Sequence, residues 1–187
     1  MKPGEHDPRR LDVAAFAAQG AELSGRWPLS ELARVAEDAP ATDDGAPLPD
    51  VHWSAHGERR PVKGGEPQVW LHLQAQAQVP RECQRCLAPV AIPVEVDQWL
   101  RFVGDEQLAA QLDADSDDDV LALPRWLDLQ ELVEDEVLLA LPLVPSHDQC
   151  PDPLPMVAEP SAEELPPQEK VNPFAALAQL KRGNKPE

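Results

Sequence analysis

The sequence predicts an α+β fold: an antiparallel β-sheet, open or barrel-like, with a few packed helices and a disordered proline-rich segment toward the C-terminus. Three observations predict it. Two long stretches alternate apolar and polar residues with a period of two, separated by a segment too short for anything but an elaborated hairpin turn. A capped apolar stripe at helical spacing follows them. Finally, 22 prolines among 187 residues interrupt too many turns for a mostly helical bundle, while 42% hydrophobic residues supply a real core.

The elements follow in chain order. Residues 1–8 read as a flexible N-terminus and residues 9–150 as the folded domain. Leu11, Ala14, Ala15 and Ala18 recur at helical spacing and Gly20 is a natural stop. Residues 21–29 read extended, with Leu23 and Trp27 as their large apolar residues. Ser30 is a suitable N-cap for a helix through Leu32, Val35 and Ala36 that Pro40 ends. Residues 42–50 have loop composition, and Val51, Trp53 and Ala55 mark a strand over 51–55. Val69, Leu71, Leu73, Ala75, Ala77 and Val79 alternate with Gln68, Trp70, His72, Gln74, Gln76 and Gln78. That is a strand with one buried and one wet face. Val90, Ile92, Val94, Val96, Leu100 and Phe102 repeat the pattern, and Cys83 and Cys86 fall at the tip between the two strands.

An acidic stretch comes next. Residues 97–136 hold 13 Asp+Glu against 2 Arg, and 104–119, ending in the run Asp113 to Asp119, reads as a solvated acidic loop. Asp128 and Glu131 have capping-box spacing ahead of an apolar stripe of Leu129, Leu132, Val133 and Val137. This predicts a helix packed on the sheet and stopped by Pro142. Seven prolines between residues 151 and 173 make 151–171 a linker. Asn172 as N-cap and Pro173 at the first helical position then announce a helical motif over 172–187 with Phe174, Leu177 and Leu180 on its apolar edge.

Composition narrows the function. Sixteen Lys+Arg against 34 Asp+Glu give a formal charge of −18, a field that repels phosphate backbones and excludes a generic nucleic-acid coat protein. The N-terminus has prolines and charges where a secretory signal needs an apolar core, and no apolar run approaches bilayer length. Three cysteines are too few and too odd for a disulfide framework. A cytoplasmic protein with reduced thiols, no membrane partner and no small-molecule substrate is expected. No phosphate loop, dinucleotide fingerprint, nucleophile elbow or zinc-protease helix occurs, so the expectation is a non-enzyme. The acidic run lacks the central Gly and closing Glu of a calcium loop, and His52, His56 and His72 have no metal-ligand spacing.

Cys83-Gln-Arg-Cys86 is the one constellation with chemistry. Two residues between cysteines let both sulfurs converge on one ion. The usual second cysteine pair is missing, but His147 and Cys150 are spaced as ligands could be. Cys83, Cys86, His147 and Cys150 are therefore the candidate metal site, with zinc the one candidate cofactor. A redox pair and unreactive structural thiols remain the alternatives, and no residue is proposed as catalytic. Asp113, Asp115, Asp117, Asp118, Asp119, Glu134, Asp135 and Glu136 are candidates for binding a basic partner. Asn172, Pro173, Phe174, Leu177 and Leu180 are candidates as a linear docking motif. The candidate RNA contacts are the local basic exceptions Arg81, Arg85, Lys181, Arg182 and Lys185.

Three segments, VPRECQRCLAPV (79–90), LVEDEVLLALPLVPSHDQC (132–150) and NPFAALAQLK (172–181), in this order and spacing resemble the bacterial YceD family, the large ribosomal RNA subunit accumulation proteins. The resemblance implies a role in synthesis, processing or stability of 23S rRNA, with no enzymatic activity assigned to the family. The implied partners are a large-subunit ribosomal protein or assembly factor, and rRNA. Some family members carry a fuller second cysteine cluster where this chain has only Cys150. Given the charge, the reading is a factor in large-subunit assembly that acts through protein contacts with basic partners. The alternatives are direct rRNA binding by the cysteine turn and basic tail, or a small zinc or redox protein that uses the Cys83/Cys86 turn.

Overall fold

The computed structural model describes residues 6–40, 47–116 and 118–151. Asp117, the linker from 152 onward and the 172–187 motif lie outside the described residues. The order is α1 (Val13–Gln19), β1 (Glu22–Pro28), a 3₁₀ turn (Leu29–Glu31), α2 (Ala33–Glu37), β2 (Asp50–Arg60), β3 (Gln68–Glu82), β4 (Pro89–Val103), α3 (Glu106–Asp113), β5 (Asp119–Ala122) and α4 (Leu129–Ala140). The strands form one five-stranded sheet in the order β1-β2-β3-β4-β5. The first three pairings are antiparallel and β4–β5 is parallel. The sheet is open, with β1 and β5 at its edges.

The period-2 pattern is realised. Leu71, Leu73, Ala75, Ala77 and Val79 are buried with Ile92, Val94, Val96, Leu100 and Phe102 across the hairpin. Phe16 of α1 and Leu129, Leu132, Val133 and Val137 of α4 join them in one core. Burying each large aliphatic side chain contributes about 1.5–3 kcal/mol. Gln74, Gln76 and Gln78 stay exposed on the opposite face. Trp70 breaks the alternation at 4% exposure. The Arg60 guanidinium lies 4.2 Å from its ring and 4.1 Å from that of Trp99, covering an outward-pointing indole with a cation.

Asp12 caps α1 by accepting from Ala15 N, and Gly20 ends it in the left-handed conformation. Gly57 of β2 lets α1 lie on the sheet: a Cβ there would stand 2.6 Å from Phe16 and 2.8 Å from the Ala17 backbone. Asp128 caps α4, accepting from Gln130 N and Glu131 N, and the helix stops at Ala140 ahead of Pro142.

Four sequence expectations are corrected. The 51–55 strand runs from Asp50 to Arg60, because the pairing partners on β1 and β3 extend past the apolar triplet. The second helix starts at Ala33 with Leu32 at its N-cap position, and its cap comes from far away. One Glu134 carboxylate oxygen accepts from Arg34 N at 2.6 Å and from Val35 N at 3.3 Å. Within 104–119, expected to be all loop, Glu106–Asp113 form α3 and Asp119 begins β5, with a turn at residues 114–115. Asp105 accepts from Leu108 N, Ala109 is buried, and Asp113 accepts from Val120 N at 3.1 Å. Its acids thus serve as caps and ties as well as solvated charges. Finally, β5 runs parallel to β4, so the sheet is not purely antiparallel.

Candidate metal centre

The long hairpin delivers two thiols to one point. β3 and β4 pair from Val69–Phe102 to Glu82–Pro89. The six residues between them fold tightly, with Cys83 N donating to Ala88 O at 2.9 Å and Leu87 N to Cys83 O at 2.8 Å. Leu87 adopts φ 60°, a left-handed conformation that costs a β-carbon residue energy and is held here by the turn. Cys83 is fully buried.

The other two ligands arrive from beyond α4. Pro142 and Pro145 prevent the helix from continuing, and the chain turns along the hairpin tip as an extended strap. Gln84 N donates to Pro145 O at 2.9 Å. The Arg85 guanidinium donates to the carbonyls of His147 and Asp148. These contacts set His147 and Cys150 opposite the two hairpin cysteines.

The ligand atoms of Cys83, Cys86, His147 and Cys150 all lie within 4.8 Å of one another. Cys83 Sγ is 3.8 Å from Cys150 Sγ and Cys86 Sγ is 3.5 Å from His147 Nδ1. A tetrahedral zinc with Zn–S near 2.3 Å and Zn–N near 2.0–2.1 Å sets sulfurs about 3.8 Å apart and sulfur and nitrogen about 3.6 Å apart. The donor set and spacing fit that ion. His147 Nε2 lies 3.0 Å from Pro89 O. A carbonyl only accepts, so the proton sits on Nε2 and the Nδ1 lone pair faces the sulfurs.

The electrostatics suit a cation. Burial pushes the Cys83 thiol up, but the N–H groups of His147, Arg85 and Cys86 more than offset it and bring its pKa down to about 5. Cys150 is pushed up by burial and by the neighbouring Cys86 and Cys83 sulfurs. Three thiolates cannot share so small a volume unless a positive ion sits among them.

The remaining sequence candidates are dispersed. Asp113 and Asp119 bracket the turn from α3 to β5, and Asp115, Asp118 and Asp119 are exposed. Glu134 is 9% exposed and faces inward, its second oxygen 3.0 Å from Arg34 Nη2. Asp135 pairs with Arg34 at 2.5 Å. Glu136 is half-buried, and burial, then Asp119 and Asp135, push its carboxyl up. Arg81 is 6% exposed and donates to Val35 O and Pro80 O. Both guanidiniums at the hairpin tip are therefore turned to main-chain carbonyls. Asp117, Asn172, Pro173, Phe174, Leu177, Leu180, Lys181, Arg182 and Lys185 lie outside the described residues. The sequence reading missed Arg34, which Glu134 and Asp135 grip, and the Pro89 carbonyl, which orients His147. No local signal marks either, because both partners are distant in sequence.

The family described as Large ribosomal RNA subunit accumulation protein YceD matches residues 71–181. That is more than half of the chain and includes all four candidate ligands. The chain belongs to the YceD family. A YceD protein of Haemophilus influenzae (strain ATCC 51907 / DSM 11121 / KW20 / Rd), named Large ribosomal RNA subunit accumulation protein YceD, is 35% identical over 123 residues. The match covers 61% of this chain and 66% of that relative, so this YceD chain spans just under two thirds of the relative's length. No solved structure matches it. Among the described residues no helix is long and apolar enough to cross a membrane.

Proposed function

We propose that this chain is a non-enzymatic cytoplasmic factor that supports accumulation of the large-subunit ribosomal RNA, carries a structural zinc, and works through contacts with basic large-subunit proteins. The observation that carries the reading is family membership across 71–181, a span that includes the four-ligand cluster. The name of the Haemophilus relative refers to accumulation of that RNA.

Physical chemistry supports each part. Catalytic zinc sites keep an open position for water or substrate, whereas four protein ligands close the shell. Zinc at Cys83, Cys86, His147 and Cys150 would fasten the strap to the hairpin tip, a structural role. The −18 charge disfavours a broad grip on phosphates and favours rapid, salt-sensitive encounter with basic proteins. Direct rRNA binding through Arg81 loses support, since its side chain is buried and donates to main-chain carbonyls.

The test is sedimentation of tagged full-length protein from lysate through a density gradient at low and moderate salt, with 23S rRNA followed in cells that lack it. Co-migration with large-subunit precursors but not mature ribosomes, and reduced 23S rRNA without the protein, are expected. Protein that stays at the top of the gradient at both salts, with 23S rRNA unchanged in its absence, would overturn the reading.

A further inference from the structure

The end of α4 and the strap after it expose apolar surface that the metal centre does not use. Leu143 is 101% exposed, Leu139 79% and Val144 63%, three large apolar side chains within six consecutive residues. Beside them lies an open groove of about 600 Å³. Leu138, Leu141, Leu143 and Pro145 form its apolar wall, and Asp38 and Glu82 contribute exposed carboxylates. The strap wall is held in place by the Gln84–Pro145 and Arg85–His147 hydrogen bonds, so little ordering remains to oppose binding.

The local charge is one-sided. Residues 126–150 contain six Asp+Glu and no Lys or Arg. Among the described residues the one cation lining the groove, Arg81, is buried, donates to main-chain carbonyls and lies within electrostatic reach of Asp38. Exposed leucines beside solvent-exposed carboxylates complement a segment that has large apolar side chains flanked by Lys or Arg, and they disfavour nucleic acid.

We infer that this groove docks a short apolar-and-basic segment of a large-subunit ribosomal protein, with its apolar side chains against Leu138, Leu141 and Leu143 and its cations at Asp38 and Glu82. The inference rests on the function proposed above and gives it a surface. That surface is distinct from the Asp113–Asp119 run and from the inward-facing Glu134.

The probe is an array of overlapping 15-residue peptides that covers the large-subunit ribosomal proteins, read with full-length, metal-loaded protein. Hits are then titrated in solution by fluorescence anisotropy. Peptides with at least two large apolar residues and a clear excess of Lys and Arg should bind. Leu143→Glu should weaken them at least tenfold, and Asp38→Lys with Glu82→Lys about fivefold. Asp115→Lys with Asp118→Lys should change them less than twofold. Leu143 is fully exposed, so its variant should fold, with an unchanged circular dichroism spectrum and melting point. Retained binding by Leu143→Glu would overturn the inference, as would loss through the Asp115 and Asp118 changes or an equal response to a charge-matched peptide lacking apolar residues. If wild-type protein and the Leu143→Glu variant both sediment with precursors, the groove assignment fails and the proposed function stands. If neither does, the function itself fails.

Discussion

Glu134 offers the sharpest check on how α4 and α2 are joined. Its carboxylate caps α2 from another helix, accepting from Arg34 N at 2.6 Å and Val35 N at 3.3 Å. The first N–H groups of a helix have no partner within it. Glu134→Ala strands them in a region where Val35 is fully buried. Losing a cap costs about 0.5–2 kcal/mol, and leaving a buried donor unmade costs about 1–3 kcal/mol. The Arg34 side chain is 48% exposed, so its ion pairs add little. Both ranges describe the same stranded N–H groups and are not added, so the loss is about 1–3 kcal/mol. At roughly 2–4 °C per kcal/mol for a chain of this size, melting should fall by about 2–12 °C. Glu134→Gln keeps a carbonyl oxygen for the cap and should lose about 1 kcal/mol. Urea unfolding with an unchanged m-value is the assay. If Glu134→Ala unfolds within 0.5 kcal/mol of the parent, the tertiary cap is not what holds α2.

Other outcomes follow from the same geometry. Protein purified without chelator should hold one zinc per chain by elemental analysis, and cobalt exchanged into it should show sulfur-to-metal charge-transfer bands. Cys83→Ser should reduce both strongly, whereas absence of bands from correctly folded protein would count against the site. Glu136 should respond to pH in a defined direction. Its folded pKa is raised above the ordinary 4.5, so the folded state holds the proton more tightly. Stability then falls as pH rises through that range and stays reduced above it. Glu136→Gln should raise the melting point at pH 7 and leave it nearly unchanged near pH 3.5, and a gain of the same size at both would be inconsistent with the carboxylate's burial. Gly57→Ala should destabilise by about 1–3 kcal/mol, because the added methyl meets the α1 backbone; a neutral result by thermal melting would mean that α1 shifts freely.

Regular periodicity made the centre of the fold legible. Gln68 to Phe102 reads as a hairpin because apolar and polar residues alternate along both strands, with Trp70 the exception. The helix after Asp128 was equally plain, since cap, stripe and stop are local. What escaped is what depends on distant partners. Ser30 looked like a cap because nothing nearby says that Glu134, about a hundred residues on, supplies it. α3 hid because the density of Asp suggested solvation, while Leu108, Ala109 and Leu112 are too few to outweigh it by eye. The metal candidates were named from spacing alone, but their convergence depends on the strap turning at Pro142 and Pro145. Arg81 read as a free cation because the sequence does not display the carbonyls that take its donors.

The bridge between Leu11 and Leu127 bears on how the molecule is made. Leu11 N donates to Leu127 O and Leu127 N to Leu11 O, both at 2.9 Å, and Leu129 N reaches Pro8 O at 2.8 Å. On a ribosome adding about 5–20 residues per second, Leu127 follows Leu11 by 116 residues (127 − 11), a wait of about 6 to 23 s. Leu11 thus acquires its bridge partner only after those further residues have been made. The β3–β4 hairpin, whose pairing is local, can form well before then, and β2 and β3 are already made to receive Phe16, but Leu11 lacks its bridge in the interval. A nascent chain stalled before residue 127 should therefore be cut readily ahead of α1, near Leu11, by a protease that spares the hairpin.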